Sequence, residues 1–406
     1  MYITLAIIAV LIFFYSLVAR GVEKTIVSGP MVFVAIGVLV GAHGLGWLGE
    51  DATRNELRVF ADLTLALILF IDAANADLGV LKRQFRIPSR MLVLGLPGVI
   101  ALGFGFAVLL FDGLSLYEAA ILATMLAATD AALGKAVITN EAVPARIREG
   151  LNVESGLNDG LCVPVLLFFI ALASSTGAVD SGGSHALMLI AEELGIGMAV
   201  GLGFAAAGAT LLRWCWKQGW VSNIWIQATV PALALASFAV AQSLHGSGYI
   251  AAFTGGLLFG SMTKESTHKL VHAAEGAGEV LALMTWVLFG AAVVGDRLDL
   301  ITWEVFVYAV LSLTVIRIVP IFLSLIGTGE SVSSRMFLGW FGPRGLASIV
   351  FAVIVMDANL PGGRFISGVV VTTVILSLVA HGVSAKPLAA WLGRKEEKRI
   401  KGDGAH

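Results

Sequence analysis

Ionisable side chains lie inside several stretches of this chain that are otherwise apolar. Burying such a group in a membrane costs about 2.5–3.5 kcal/mol on insertion scales, so it normally faces a cavity, pairs with another group or carries an ion. The acids outnumber the permanent cations, and hydroxyl residues accompany them, which favours an ion-binding set over a purely structural set of salt bridges. The six residues are Asp72, Asp130, Glu154, Asp159, Arg317 and Arg344.

Four polar residues within one apolar segment have helical spacing. Ser155 and Asp159 are four residues apart, so they share one helix face. Glu154 and Asn158 share the adjoining face, which lets Glu154 turn towards a neighbouring helix. A buried glutamate needs a cationic partner or a proton, and Arg317 cannot lose its proton. We therefore pair Glu154 with Arg317 as a structural brace.

Two predicted spans are interrupted by residues that disturb a helix. One carries Thr129 and Asp130 at its middle, and the other carries Gly342 and Pro343, of which Pro343 removes a backbone donor. Irregular backbone at membrane depth is tolerated only where it is buried in protein or lines a wet cavity. Interrupted spans at corresponding positions of two halves indicate the binding site of a transporter. Each is the second of three spans, which predicts inverted repeats with two broken crossing helices.

The composition is that of a polytopic membrane protein. Hydrophobic residues make up 58% of the 406 residues and charged residues 13%, against roughly 45–50% and about 25% in soluble domains. This excludes an ordinary soluble enzyme and a disordered chain. A helix needs roughly 20 apolar residues to cross a bilayer, and the hydropathy pattern predicts an all-α fold with about 13 spans. They cover approximately 2–19, 29–48, 57–75, 91–111, 116–139, 149–174, 186–212, 222–244, 248–262, 276–295, 301–326, 334–357 and 363–391.

Lys and Arg divide unevenly between alternate loops of this arrangement. One set of loops, together with the C-terminal segment, holds 19 of the 26 residues, and three lie within spans. The other set holds Arg54, Arg58, Arg297 and Arg364. Because cytoplasmic loops collect Lys and Arg, we expect the N-terminus outside and the C-terminus in the cytoplasm. The transmembrane domain is expected over 1–392 and a short basic cytoplasmic tail over 393–406.

The chemistry of these residues permits exchange of a proton for a cation. The carboxylate of Asp159 can bind a proton or, with hydroxyl and carbonyl oxygens around it, a small hard cation. Because both ligands need the same carboxylate, they exclude each other. Loading one ion on each side of the membrane then gives antiport, provided that the empty site crosses poorly.

Other classes of protein fit parts of the pattern. An organic-anion carrier or channel could use the Gly-Pro break and Arg344, since half-helix N-termini attract anions, but the excess of acids argues against it. The sequence contains neither the His-Glu-x-x-His nor the Gly-x-Ser-x-Gly motif of an enzyme. Cys162 and Cys215 suggest neither a disulfide nor a metal centre. We expect no enzymatic activity, no cofactor and no nucleic-acid partner.

At these residues the chain resembles the monovalent cation/proton antiporters of the NhaP and NHE type, the CPA1-like exchangers. The likeness covers nearly the whole chain, and its Glu-Ser-x-x-Asn-Asp motif is the specific part. Two positions depart from it, since the family usually has Pro where Ala131 stands and Leu where Gly156 stands. The matching segments are Leu69–Asp72, Ala128–Asp130, Glu154–Asp159, Phe253–Gly260 and Gly342–Gly345.

The resemblance implies a NhaA/NhaP-like fold and a cation site on Asp159. Na⁺ is favoured, with Li⁺ or K⁺ as alternatives that the oxygen ligands do not separate. Asn158 stands where an aspartate would add a second titratable charge, so we expect one cation per proton and electroneutral exchange. The residues expected around the ion are Asp159, Asp130, Ser155, Thr129, Asp72 and Asn158, of which the first three are expected to hold Na⁺. The resemblance also implies a helix break at Gly342, Pro343 and Arg344, and it supports the brace between Glu154 and Arg317.

The same likeness predicts how the domain divides. A core bundle over about 91–174 and 301–391 is expected to slide against a scaffold formed mainly by 1–75 and 186–295. The apolar surface of the scaffold is expected to form a homodimer in the lipid bilayer. We expect the protein in the inner or plasma membrane of a prokaryote.

Overall fold

The computed structural model describes residues 2–22, 25, 27–76, 86–130, 133–175, 182–222, 224–263 and 267–403, and all regular secondary structure in these ranges is helical. The first eight helices are α1 (Tyr2–Val22), α2 (Gly29–Val40), α3 (Glu50–Asn75), α4 (Arg86–Leu110, with a π-helical turn at Met91–Gly95), α5 (Leu116–Met125), α6 (Lys135–Ile138), α7 (Ala145–Ser175) and α8 (Gly182–Lys217). The later helices are α9 (Ile226–Ser243), α10 (Gly248–Thr263), α11 (Thr267–Phe289), α12 (Trp303–Leu313), α13 (Val315–Ser324), α14 (Val332–Trp340), α15 (Leu346–Asp357) and α16 (Gly363–Asp403).

Most of these helices have the length and composition of membrane spans. Eight helical segments within the described ranges are long and apolar enough to cross a bilayer, and three further apolar helices are shorter. The shorter ones are α2, α5 and α15, of which the last two are halves of the interrupted spans. The all-α architecture matches the sequence-based expectation, and the number of spans stays a prediction.

Both predicted interruptions are present. Helix α5 ends at Met125 and helix α6 begins only at Lys135, while α14 ends at Trp340 and α15 begins at Leu346. Ala131, the position of one family departure, lies outside the described residues. The freed backbone groups at such breaks need partners inside the protein, and the partners of these two breaks form the candidate site.

A third discontinuity was not predicted. The eleventh span divides at Thr314, whose φ of −114° and ψ of −94° separate α12 from α13. The carbonyl of Ser312, just before it, accepts a hydrogen bond from Arg344 at 3.4 Å. The hydropathy of this span did not predict the break, and Pro320 lies inside the helix that follows it.

Close glycine contacts fix helix α3 within the predicted scaffold. A Cβ atom at Gly256 or Gly260 of α10 would collide with backbone oxygens of α3, at Phe70 and Ala74 respectively. A Cβ atom at Gly201 of α8 would likewise meet the carbonyl of Ala251 on α10. Small residues let apolar helices approach closely in a membrane, so α3, α8 and α10 form a tight group that carries Asp72.

Helix α16 continues through the segment expected to be a separate tail. It runs to Asp403 instead of ending near 391. The reason is Glu396, which is only 3% exposed and accepts from Arg146 at 2.9 Å and from Ser331 Oγ at 2.9 Å. These partners bind the helix extension to the starts of α7 and α14. Glu396, within the expected basic tail, thus packs against α7 and α14, and the division into domains stays a prediction.

Contacts between loops agree with the predicted division into two faces. Arg58, Arg297 and Arg364, three of the four cations assigned to the sparsely charged face, line one cavity of about 630 Å³. On the other face Arg146 pairs with Glu330 at 2.9 Å, and both residues belong to loops of the basic set. Which face is cytoplasmic stays a prediction.

Candidate functional site

Asp159 lies at the centre of the candidate site, on α7. The residue is 6% exposed, and its Oδ1 atom has no hydrogen-bond donor among the residues that the structure describes. The carboxyl group receives one backbone hydrogen bond from Thr129. One turn earlier, Ser155 Oγ donates to the carbonyl of Thr129 at 2.7 Å. Buried polar atoms normally have a partner, so the remaining carboxylate oxygen suits a bound proton or cation.

Asp130 joins the two interrupted spans. Its Oδ2 atom accepts from the N–H of Leu346 at 2.8 Å and its Oδ1 atom from the N–H of Leu133 at 3.2 Å. Its own N–H donates to the carbonyl of Pro343 at 2.9 Å. A carboxylate at the first residue of α15 satisfies an open N–H and complements the helix dipole. Gly345 leaves room for it, because a Cβ atom there would collide with the carboxylate.

A small cavity separates the two breaks beside these groups. Thr129, Asp130 and Ser155 line it together with Phe341 and Pro343. The volume within which the centre of a water-sized sphere can move is about 10 Å³. That is about the space of one such particle. Three of the predicted site residues therefore border this small cavity, and the rest of its lining is largely apolar, including Val137, Ile138 and Leu151.

Glu154 and Arg317 make a bidentate ion pair away from this cavity. Arg317 donates to Oε1 at 2.8 Å and to Oε2 at 3.0 Å, and both side chains are 1% exposed. Gly342 makes the pair possible, because a Cβ atom there would collide with the guanidinium of Arg317. The pair thus links α7 to α13 behind the second break, as a brace requires.

Asn158 is occupied by protein partners rather than turned into the cavity. Its Nδ2 atom lies 3.2 Å from the carbonyl of Ala127, 3.2 Å from Thr129 Oγ1 and 3.1 Å from Glu154 Oε1. Its Oδ1 atom accepts from Cys162 Sγ at 3.2 Å. These contacts link the brace to the first break, and the expectation that Asn158 belongs to the residues around the ion stays a prediction.

The guanidinium of Arg344 lies next to both breaks and donates hydrogen bonds to backbone carbonyls there. Its guanidinium is fully buried and lies 3.1 Å from the carbonyl of Gly342 and 3.5 Å from that of Ala128. Backbone carbonyls that leave a helix need such donors when water is excluded. Arg344 therefore donates to carbonyls of both non-helical segments.

Asp72 approaches the site from the predicted scaffold. Asp72 lies in the last turn of α3. Gly156 of α7 faces α3 at this point, and a Cβ atom on it would lie 3.1 Å from Cβ of Asp72. Gly156, which departs from the family pattern, is thus the residue of α7 that lies against Asp72 of the predicted scaffold.

Other charged and polar residues near the breaks take roles that spacing did not indicate. Lys135 pairs with Glu279 of α11 at 2.5 Å, with both side chains more than half exposed, so it lies outside the cavity. Ser377 and His381 of α16 contact the second break. Their four-residue spacing marks a shared helix face, but nothing in the sequence connects that face with residues 340–344.

Comparison with known proteins gives one consistent result. The profile of a family described as "Sodium/hydrogen exchanger, transmembrane" matches residues 7–391. The K(+)/H(+) antiporter NhaP of Alkalimonas amylolytica is 26% identical over 397 residues, which are 96% of this chain and 67% of that protein. The K(+)/H(+) antiporter NhaP2 of Shewanella oneidensis is 25% identical, over 87% of this chain and 61% of that protein. The Na(+)/H(+) antiporter ApNhaP of Aphanothece halophytica is 25% identical, over 88% and 68%.

The chain therefore spans about three fifths to two thirds of the length of these relatives. Among solved structures, the sodium proton antiporter MjNhaP1 of Methanocaldococcus jannaschii superimposes with a TM-score of 0.78 at 19% identity, covering 97% of this chain and 98% of that chain. This likeness concerns the fold, and it confirms the predicted NhaP-like, all-α class. Together with the apolar helices, the family match makes the chain an integral membrane protein.

Proposed function

Because this chain belongs to the sodium/hydrogen exchanger family, we propose that it exchanges a monovalent cation for a proton across the membrane. The observation that carries this proposal is the carboxylate of Asp159, buried with one oxygen that no donor in the described ranges satisfies. Its hydrogen-bond partner Thr129 lines a small cavity together with Asp130 and Ser155.

The exchange follows from competition for Asp159. A proton on the carboxylate removes the negative charge that a cation needs, and a bound cation excludes the proton. The carbonyl of Thr129, the hydroxyl of Ser155 and the carboxyl of Asp130 supply the hard oxygen ligands that such ions prefer. Asp130 also complements the N-terminus of α15, so its charge is shared between the helix and the ion.

The stoichiometry that we propose is one cation for one proton. Asn158 contributes an amide, and its atoms contact Ala127, Thr129, Glu154 and Cys162. It therefore adds no second proton to the cycle. Exchange of one positive charge for another moves no net charge, and the membrane potential should not drive it.

The moving body is the core over about 91–174 and 301–391, and the scaffold consists mainly of 1–75 and 186–295. The contacts of Asp130 and Arg344 join the two breaks within the core, which supports movement of the core as one unit. Asp72 belongs to the scaffold, so sliding changes its approach to Asp159. We also propose that the protein forms a homodimer through the scaffold. It lies in a prokaryotic inner membrane with its N-terminus outside.

The choice of cation is between Na⁺, with Li⁺, and K⁺. Relatives of similar identity carry names with either ion, K(+)/H(+) in Alkalimonas amylolytica and Na(+)/H(+) in Aphanothece halophytica. We favour Na⁺ because the chain matches a family described as a sodium/hydrogen exchanger. An organic-anion carrier fits less well, since the polar groups facing the cavity include a carboxylate and Arg344 is turned to backbone carbonyls.

Purified protein in liposomes with an imposed pH gradient tests this function. Addition of Na⁺ or K⁺ should relieve the quenching of a pH-sensitive dye, and a potential set with an ionophore should leave the rate unchanged. At pH values where most copies of the site are protonated, mass action requires the apparent KM for the cation to rise about tenfold for each unit that the pH falls. A KM independent of pH would contradict competition, and a rate that follows the potential would contradict electroneutrality.

Gly156→Ala tests the scaffold contact in the same assay. The added methyl group presses on Asp72, whose Cβ lies 3.1 Å from the new atom. Because small displacements at a reacting centre have large kinetic effects, we expect the apparent KM for the cation to rise about 3–10-fold. Gly105→Ala is the matched control, since a Cβ atom there has no neighbour within 4 Å among the described residues. Equal KM values for the two variants would remove Asp72 from the site.

A further inference from the structure

His381 is a buried titratable residue that the exchange cycle does not use. It is 3% exposed on α16, and its Nε2 atom lies 2.9 Å from the carbonyl oxygen of Trp340. The imidazole and indole rings of the two residues are in tilted contact, with centroids 5.2 Å apart. Trp340 is the last residue of α14, where helix carbonyls lose their intrahelical partners. Because a carbonyl only accepts, the tautomer with its proton on Nε2 donates to the end of the interrupted helix, while Nδ1 lies 3.0 Å from the carbonyl oxygen of Ser377 on α16 itself.

Ser377 holds the other end of the same break. It precedes His381 by four residues and therefore shares its helix face. The N–H of Arg344 donates to Ser377 Oγ at 2.7 Å, and this hydroxyl lies 3.1 Å from Nδ1 of His381. In the tautomer with the proton on Nε2, this hydroxyl can donate to Nδ1. The two side chains then connect the N–H of Arg344 with the carbonyl of Trp340.

This chain of bonds spans the non-helical segment 341–345, which faces the exchange site on its other side. There the carbonyl of Pro343 accepts from the N–H of Asp130, and the N–H of Leu346 donates to the carboxylate of Asp130. A shift of the segment would therefore move Asp130, which lines the small cavity. Helix α16 thus contacts the ends of the same segment that binds Asp130.

We propose that Ser377 and His381 are positioning residues for the exchange, which hold segment 341–345 in the conformation that sets Asp130 against the cation. The inference rests on the proposed function. It assigns to α16 a part in cation affinity beyond packing. Neither residue reaches the ion, and each acts through the backbone of the break.

Four variants in the liposome assay separate this role from a structural one. His381→Leu keeps the approximate volume and removes both hydrogen bonds, whereas His381→Gln keeps an N–H for the carbonyl of Trp340. Ser377→Ala removes the acceptor for Arg344 and is the milder change. Ser384→Ala is the control, because it removes a bond of α16 to the Trp340 indole at 2.9 Å without touching the broken backbone.

We expect the apparent KM for the cation to rise about tenfold in His381→Leu and about threefold or more in Ser377→Ala. His381→Gln and Ser384→Ala should stay within about twofold of the unmodified protein. Each preparation is compared per amount of monodisperse protein, so a change in yield or thermal stability does not enter the KM. If His381→Leu does not fold, Ser377→Ala decides the question.

Two results would overturn the inference while leaving the proposed function intact. One is an unchanged KM in folded His381→Leu and Ser377→Ala, measured beside an unmodified protein that is active. The other is a shifted pH profile in His381→Gln at constant KM, which would make the ring a proton carrier. A preparation of the unmodified protein that responds to no cation at any pH would instead refute the function and the inference together.

Discussion

Asp159→Asn is expected to abolish cation/proton exchange, with a loss of about 100-fold or more in the liposome assay. A side chain that transfers the proton typically contributes at least this factor, and here the same carboxylate also binds the cation. The amide carries no charge and exchanges no proton near neutral pH, so neither half of the cycle can load. The measurement is the initial rate of dye dequenching at saturating Na⁺ and at saturating K⁺, per amount of reconstituted protein.

The variant should remain folded, which makes the test specific. Asp159 Oδ1 makes no hydrogen bond with any residue in the described ranges, so an amide there breaks none, and it removes a buried charge that is costly to keep. We expect the thermal midpoint of Asp159→Asn without cations to equal or exceed that of the unmodified protein. A cation at 100 times its Kd should stabilise the unmodified protein by about 2.7 kcal/mol and leave the variant unaffected.

Asp62→Asn is the matched control for this substitution. Asp62 lies on α3 of the scaffold and accepts from the hydroxyl of Tyr249 at 2.6 Å, a bond that an asparagine oxygen can keep. It is an aspartate inside an apolar helix that is not among the site residues, so its loss should change the exchange rate less than about threefold. If Asp159→Asn exchanged cations as Asp62→Asn does, the site would have to be sought elsewhere.

The parts of the site that the sequence predicted are those set by local spacing or by the scarcity of alternatives. Helical spacing predicted that Ser155 and Asp159 share a face, and the structure has both beside Thr129. Glu154 and Arg317 could be paired because few charges lie within spans, so each had few possible partners. Pro343 marked a break through its own covalent geometry.

The parts that escaped prediction depend on backbone geometry that only the folded chain creates. Residues Ser377 and His381 bind an N–H and a carbonyl that become available because α14 ends at Trp340. Glu396 is buried because Ser331 and Arg146 meet it from other helices. Asn158 has the composition of an ion ligand, and its orientation is decided by its neighbours. The types of side chain therefore indicated an ion-binding site, while the tertiary contacts determined which side chains are held by other protein groups.

Breaking the Glu154–Arg317 pair is expected to destabilise the fold more than any other single change considered for this protein. Both side chains are 1% exposed and share two hydrogen bonds of 2.8 and 3.0 Å. Removal of one partner leaves an uncompensated buried charge, which costs about 3–5 kcal/mol. Glu154→Gln keeps an oxygen for the bond from Asn158, and Arg317→Met keeps much of the side-chain length. Each single variant should lose most of its monodisperse protein after solubilisation.

The double variant distinguishes a brace from two separate contributions. Glu154→Gln with Arg317→Met leaves no unpaired charge, so its loss in free energy of unfolding should fall short of the sum of the single losses by about 2 kcal/mol or more. Denaturant unfolding in detergent, followed by tryptophan fluorescence, measures the three values. The Arg58–Asp357 pair, 3.1 Å long with side chains 58% and 41% exposed, is the control, because exposed pairs contribute about 0.2–1 kcal/mol. Additive losses at Glu154 and Arg317, or single losses no larger than those at the exposed pair, would show that the buried pair does not brace α7 against α13.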